Sequence, residues 1–427
     1  MKWMPKLGGL ILCLLVLPLE SHVYAAGENA SDFRDMFAPV EISGFIESRA
    51  GMRIQDDPHA GDLSVMEARL SADLYTCTDW VEFKLQGDVW ADGVTEKGEG
   101  ELREAWFFLR PSDWLDIKAG RQIITWGTGD LVFLNDLFPK DWQSYFIGRD
   151  SEYMKAPSDA VKLGVFHDWA NVDLVYTPKF DSDRYITGEY LSYWDAAAAG
   201  YAGEDEMIHA DRPDRWFDDD ELALRIYKNI HNYELAVYGY WGFWKRPVGQ
   251  KPSGTPFFPQ LNVYGFSFRG QFAGGIGNLE LAYYDSVDDP DGNISTIDNS
   301  QMRYLVGYCR DLAPDLNASM QYYVEQMLDY QGYEHSYSGE FMRDRFRHVI
   351  TLQITQLLMS QNLELSLSAY YSPSDQDAYL RPKVSYAVTD NINVETGANI
   401  FIGEKDYTFF GQFEKNTSVY ISLRYSI

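Results

Sequence analysis

From Val419 to the last residue, apolar side chains fall on every second position, Val419, Ile421, Leu423, Tyr425 and Ile427, with Tyr420, Ser422, Arg424 and Ser426 between them. A period of two puts these sets on opposite faces of an extended strand, one apolar and one polar. The alternation runs to the final residue, so the strand must find its neighbours upstream, and a barrel closing on its first strand supplies one. The same period appears early in the chain. Val40, Ile42, Gly44 and Ile46 alternate with Glu41, Ser43, Phe45, Glu47 and Arg49; Met66, Ala68, Leu70, Ala72 and Leu74 alternate with Glu67, Arg69, Ser71 and Asp73. Val81, Phe83, Leu85 and Val89 alternate with Glu82, Lys84, Gln86 and Asp88. Three successive strands with a charged face predict a wet interior, because a soluble sandwich would turn its apolar faces inward.

Composition supports a membrane barrel. After the first 26 residues no apolar run approaches the about 18 residues that a membrane helix needs, yet the chain holds 30 Tyr, 24 Phe and 12 Trp. A net charge of −28 excludes the basic surface that a nucleic-acid partner would require. Lys2 and Lys6, the apolar run 7–19 and small residues up to Ala26 read as a secretory signal peptide, residues 1–25. Leu12 before Cys13 does not fit a lipoprotein signal. Residues 26–39, with Phe33, Met36 and Phe37 at helical spacing, are expected to form a periplasmic lead-in to a barrel over 40–427. Cys77 and Cys309 fall on strands far apart, so unpaired thiols are expected.

The fold expected is all-β, a transmembrane antiparallel barrel of about 18 strands. After the three strands above, further ones are read near 101–110, 114–126, 160–167, 170–177, 221–228, 233–243, 261–272, 277–286, 301–310, 316–327, 345–357, 362–372, 378–387 and 392–401, before the closing one. Thr78-Asp79-Trp80, Ser112-Asp113-Trp114 and His167-Asp168-Trp169 mark tight turns at one end, where Trp suits the membrane interface. Longer polar segments, 54–62, 91–99, 127–159 and 178–220, are expected at the other, extracellular, end. Of these, 178–220 carries twelve acidic and four basic residues, a solvated outer surface. The stretch 244–260, with four prolines, three basic residues and no acid, could cover the pore mouth or cross the rim. Asp288 to Asn293 lacks the spacing of a calcium loop, because Val287 would fill its first position.

The most specific local sequence is Leu102-Arg103-Glu104-Ala105-Trp106, followed by Gly120-Arg121-Gln122, Trp126-Gly127, Asp136, Pro139 and Asp141. It resembles an uncharacterised family of proteobacterial outer-membrane porin-like barrels, distantly related to alginate-export porins. The C-terminal Tyr420, Tyr425 and Ile427 likewise resemble the assembly signal of Gram-negative outer-membrane barrels, although Phe is the commoner last residue. The resemblance implies a channel-forming protein of the Gram-negative outer membrane, in contact with its lipids, and carries no substrate. A homo-oligomer stays open, a trimer by analogy with porins alone.

Several residues are expected to shape the pore. Strict alternation with Leu115, Ile117 and Ala119 would aim Arg121 at lipid; a bulge at Gly120 would turn it inward, opposite Glu104, and the other reading is an arginine at the rim. Residues 127–159 hold Phe133, Leu134, Phe138, Trp142, Tyr145 and Phe146, too apolar a set for a solvated loop. An inward fold of this segment would group Trp126, Asp130, Asp136, Lys140, Asp141 and Arg149 with Glu104, Arg121 and Gln122 as a constriction; a lid over the rim, or packing on a neighbouring subunit, is the competing arrangement. On the wall, Arg225, Arg269, Arg345, Arg347, Arg381, Lys383 and Arg424 are expected to face the lumen, opposite Glu234, Glu280, Glu325, Glu364 and Glu395 on the strands between. No hydrolase, nucleotide-binding or metal-ligand spacing is present, so neither an enzyme nor a cofactor or metal is expected. The expected function is diffusion of small polar or amphipathic solutes through a charged lumen; the alternative is an adhesive barrel with a plugged lumen.

Overall fold

A computed structural model describes residues 40–78, 80–196, 198–339 and 341–427; the expected signal peptide and the expected lead-in lie outside the described residues. Eighteen strands form one closed sheet: β1 Glu41–Arg53, β2 Leu63–Cys77, β3 Val81–Asp92, β4 Lys97–Ser112, β5 Leu115–Gln122, β6 Ser158–Val165, β7 Asn171–Thr177, β8 Glu221–Ile230 and β9 Tyr233–Phe243. They continue as β10 Gln260–Phe272, β11 Gly275–Ser286, β12 Gln301–Ala313, β13 Leu316–Met327, β14 Phe346–Leu358, β15 Leu363–Ser372, β16 Asp377–Ala387, β17 Ile392–Gly403 and β18 Ser418–Ser426. Each is antiparallel to the next, and β18 closes on β1 with Ile421 opposite Ala50 and Ile46 opposite Tyr425. Closure gives every wall strand two neighbours, which removes the free edge of the terminal strand.

The two faces separate as the alternation requires. Glu47, Arg49, Glu67, Arg69 and Asp88 are buried on one face, while Ile42, Ile46, Met66, Leu70 and Val89 on the other are exposed. The exposed apolar set continues round the wall through Val306, Met320, Ile402 and Ile421, the lipid-facing belt of an outer-membrane barrel. Trp80, Trp114 and Trp169 stand 57–67% exposed in the short turns, one ring of an aromatic girdle. In the turn between β10 and β11, Ala273 and Gly274 have φ of 47° and 79°, the backbone of a tight two-residue hairpin.

The boundaries differ from expectation in two places. The segment 91–99 is not a long loop: β3 and β4 run on until only residues 93–96 join them, and the Asp92 carboxylate accepts the N–H groups of Val94 and Thr95. The charges at Lys97, Glu99 and Glu101 belong to strand β4 and not to a loop. Strand β5 ends at Gln122 instead of 126, and the chain then turns inward, burying Ile124 and Trp126.

Candidate functional site: a lumen crossed by one segment

Between β5 and β6 the chain leaves the wall and packs inside the barrel. Aromatic burial drives this: Leu134, Phe138, Tyr145, Phe146 and Ile147 are at most 6% exposed, in one cluster with Tyr370, Tyr379, Phe401 and Tyr420 of the wall. A short helix, α1 Trp142–Ile147, is capped by Asp141, whose carboxylate accepts the Ser144 N–H at 2.7 Å, and it ends at Gly148 with φ 89°.

Opposite walls hold the two ends of the segment. On β11, the fully buried Glu280 carboxylate accepts Thr128 N–H and Oγ1–H, Gly129 N–H, and the backbone N–H and side-chain Nδ2–H of Asn135. Tyr284 donates to the Leu134 carbonyl and Tyr370 to that of Leu131, and Ser319 donates to Asp130. Across the lumen, Arg149 pairs with Glu67, Arg49 donates to the Gly148 carbonyl, and Arg381 donates to that of Arg149. Arg424 reaches Glu152 at 3.0 Å and Tyr153 donates to Asp88 at 2.6 Å. The contacts involve β1, β2, β3 and β18 on one side and β11 and β13 on the other, with the adjacent β15 and β16 between, so the segment spans the lumen.

Two chambers flank the crossing, and Leu131, Phe133 and Tyr370 line both. The chamber on the long-loop side, about 1040 Å³ including open solvent, has aromatic walls from Trp142, Trp244, Tyr284 and Phe409. Five cations, Lys140, Lys245, Arg246, Arg303 and Arg347, line it against three acids, Asp136, Asp183 and Glu325. Each acid is engaged. Asp136 holds Lys140 at 3.1 Å and Thr125 Oγ1 at 2.7 Å; Asp183 accepts Lys140 N–H and Trp142 Nε1–H; Glu325 accepts the Tyr323 hydroxyl beside Arg303. Burial pushes the Asp183 carboxyl up, against the pull of Lys140. Arg246 and Arg347 both approach the Phe409 ring, at 5.7 and 4.5 Å. Arg347 also pairs with Asp375 at 2.9 Å, whereas among the described residues Arg246 has no carboxylate partner within ion-pair distance. The second chamber, about 930 Å³, lies on the short-turn side and is polar, with Gln353, Thr355, Ser366 and Ser368 beside Lys383 and Glu364.

Most residues expected at the constriction lie along this crossing, but they do not form one ring. Trp126 packs edge-on against Phe138; Asp136 and Lys140 sit with the long-loop chamber, Asp130 with the other, and Asp141 pairs with Arg184 at 3.1 Å. Glu104 faces the lumen, bonded to Lys84 at 2.7 Å and to Trp106, and Gln122 donates to the Ala160 carbonyl. Arg121 requires a correction. It pairs in register with Ala105 and Asp159, on the face of Ala119, Phe107 and Val161, so it stands on the outer wall. There both carboxylate oxygens of Asp159 accept from it, at 2.8 and 2.9 Å. The irregularity lies in β4 instead, where the register shifts between Gln86 and Gly87 and leaves Arg103 and Glu104 both buried. The bulge in β4 turns Glu104 inward, while the unbroken alternation of β5 carries Arg121 outward.

On the wall, Arg225 meets Glu234 at 2.7 Å, and Lys383 lies between Glu364 and Glu395 at 3.4 and 3.5 Å. Arg424 joins Glu47 at 2.8 Å, Arg381 stacks over Tyr145, and Arg269 sits opposite Glu234 in register. Arg345 precedes β14 and is exposed at its long-loop end. Glu280 departs from the expected arrangement: its partners are backbone and side-chain N–H and hydroxyl donors of the crossing segment, not a wall cation. Arg184 and Arg303 were not singled out by sequence, since one lies in an acidic loop and the other reads as an ordinary polar position of a strand.

No protein-family model matches the chain, and no curated protein matches it. Solved structures do match over nearly its whole length. Acinetobacter baumannii OccAB1 is 10% identical with 91% of this chain and 96% of that one covered, at a TM-score of 0.52. OccAB3 of the same organism is 9% identical, with 91% and 99% covered and a TM-score of 0.52. Pseudomonas aeruginosa OccK11 (OpdR) is 9% identical, with 91% and 96% covered and a TM-score of 0.53. At this identity the likeness is one of fold, the closed antiparallel barrel of outer-membrane porins.

Proposed function

We propose that the chain is a diffusion channel of the Gram-negative outer membrane for small amphipathic solutes, with a preference for those that carry negative charge. The observation that carries this reading is the partition of the lumen by residues 131–133 and Tyr370 into two chambers of different chemistry. A constriction of this kind selects by size, and the ionised groups around it select by charge. The aromatic walls of the outer chamber favour an apolar body, and cations placed over ring faces are positioned to meet an acidic group. In a chain of net charge −28 a chamber with more cations than acids is a local reversal of field.

Planar-bilayer recording of the purified protein tests both parts. Intact protein is expected to give discrete conductance steps, and a salt gradient a reversal potential on the anion-selective side that Arg246→Gln moves toward neutrality. Deleting Leu131 to Phe146 is expected to raise the single-channel conductance clearly. A folded barrel with no conductance would instead favour an adhesive barrel, the reading supported by the two-sided anchoring of the crossing segment. Conductance unchanged by the deletion would remove the constriction from the account.

A further inference from the structure

The wall is of unequal height. Strands β5, β6 and β7 have 8, 8 and 7 residues, whereas β12, β14 and β17 have 13, 13 and 12. At a tilt of about 40° and about 3.4 Å per residue, eight residues rise only about 18 Å, less than the about 25 Å of an ordinary apolar band. The outward residues agree with the shorter figure. On β5 they are Leu115, Ile117 and Ala119 and then Arg121; on β6, counted upward from the turn, they are Val165, Leu163 and Val161 and then Asp159. Strand β17, in contrast, presents Ile392, Val394, Thr396, Ala398, Ile400 and Ile402 outward. The apolar belt of this sector therefore stops after three positions per strand, and an ion pair follows it. Arg121 and Asp159 keep 32% and 47% of their side chains exposed on the outer wall.

Both margins of the short sector carry aromatic residues. Trp114 and Trp169 mark its lower margin. At its upper margin Trp216 and Phe217 are 56% and 70% exposed, and Phe217 N–H bonds the Pro178 carbonyl just above the end of β7. Phe217 holds a φ of 65°, a conformation that a bulky residue rarely adopts. Tyr176, on the outward side of β7, lies beside Asp220 at the end of this stretch. Aromatic rings at both ends of the wall are the mark of the two membrane interfaces.

We infer that lipid is the occupant of this sector and that the barrel thins the bilayer there, with Trp216 and Phe217 in the outer interface and the Arg121–Asp159 pair directly beneath it. The continuity of the ring–belt–ring order along the sector selects lipid over a second copy of the chain, which would need no aromatic margin. Matching the bilayer to a short wall has a modest cost, and interfacial aromatics set where it settles. The inference does not depend on the channel reading.

Nitroxide accessibility tests it. In full-length protein carrying Cys13→Ser, Cys77→Ser and Cys309→Ser, reconstituted in dioleoylphosphatidylcholine vesicles, single labels are introduced by Val161→Cys, Phe217→Cys, Ile400→Cys and Ser253→Cys. Collision with oxygen reports hydrocarbon, and collision with a water-soluble nickel chelate reports water. Labels at 161 and 400 are expected to read hydrocarbon, the label at 217 interface and the label at 253 water, although Phe217 bonds Pro178, seven residues past the start of β7 at Asn171, and Ile400 stands eight past the start of β17 at Ile392. The inference falls if the label at 217 reads hydrocarbon as deep as 400, or water as free as 253. It also falls if 161 and 217 are shielded from both reagents, since another protein surface would then cover the sector.

Discussion

Glu280 is a carboxylate buried on β11 whose two oxygens take five donors from the crossing segment. Glu280→Gln replaces one of those oxygens by an amide that is itself a donor, so at least one of the five loses its acceptor. Leaving a buried donor unmet costs about 1 to 3 kcal/mol. The expected outcome is a lower melting temperature together with larger and noisier single-channel currents; quiet currents of the original size would show that the segment is held without it. Asp183 makes a pH-dependent case. Its carboxyl is raised by burial, so the native state holds its proton more tightly than the unfolded chain does. Stability then falls as pH rises from the ordinary carboxylate range through the raised value, and the cost is fully present above it. Asp183→Asn is expected to flatten this part of the stability profile in thermal melts across pH; an unaltered slope would assign the dependence to another group.

The crossing segment is the element on which the pore depends. Gly148 ends α1 at a φ of 89°, and a Cβ there would lie 2.7 Å from the Tyr420 ring and 2.9 Å from Asn399 Nδ2. The same residue gives its carbonyl to Arg49. Gly148→Val is therefore expected to push the segment off the wall, lowering the melting temperature and broadening current fluctuations, while the barrel still inserts. Recording and melting the same preparation decides this, because an effect on melting alone would mean that the segment's position does not shape the current. The inward fold of this segment was legible in sequence because six large apolar side chains in one loop have to be buried somewhere. Its anchors were not. Glu280 reads like the other lumen glutamates, and only the path of a distant segment decides that it meets N–H and hydroxyl donors instead of an arginine.

The whole barrel depends on closure between β1 and β18. Ile421 is 56% exposed on the outer wall, in register with Ala50 and Thr396 on its two neighbours. Arginine on the lipid face near mid-membrane costs about 2 to 4 kcal/mol, so Ile421→Arg is expected to lower the folded fraction in lipid vesicles, read as loss of the compact form in unheated electrophoresis. Tyr420→Phe, on the inner face, should leave that fraction near its original value. Equal effects of the two substitutions would contradict the assignment of faces.

The sequence by itself determined which residues face lipid and which face the lumen, and it placed the turns near Trp114 and Trp169. Both are local properties: a strand alternates every residue, and a tight turn needs only its own few side chains. Only the tertiary structure decided that no bulge interrupts β5, whose unbroken alternation carries Arg121 outward, and that the bulge lies on the adjacent β4 instead. It also decided the partners made across the lumen, such as Arg184 with Asp141 and Glu101, and Arg149 with Glu67. These contacts join residues 43 to 83 positions apart, and side-chain type sets what such groups can bind while the closed wall and the path of the crossing segment set which of them meet.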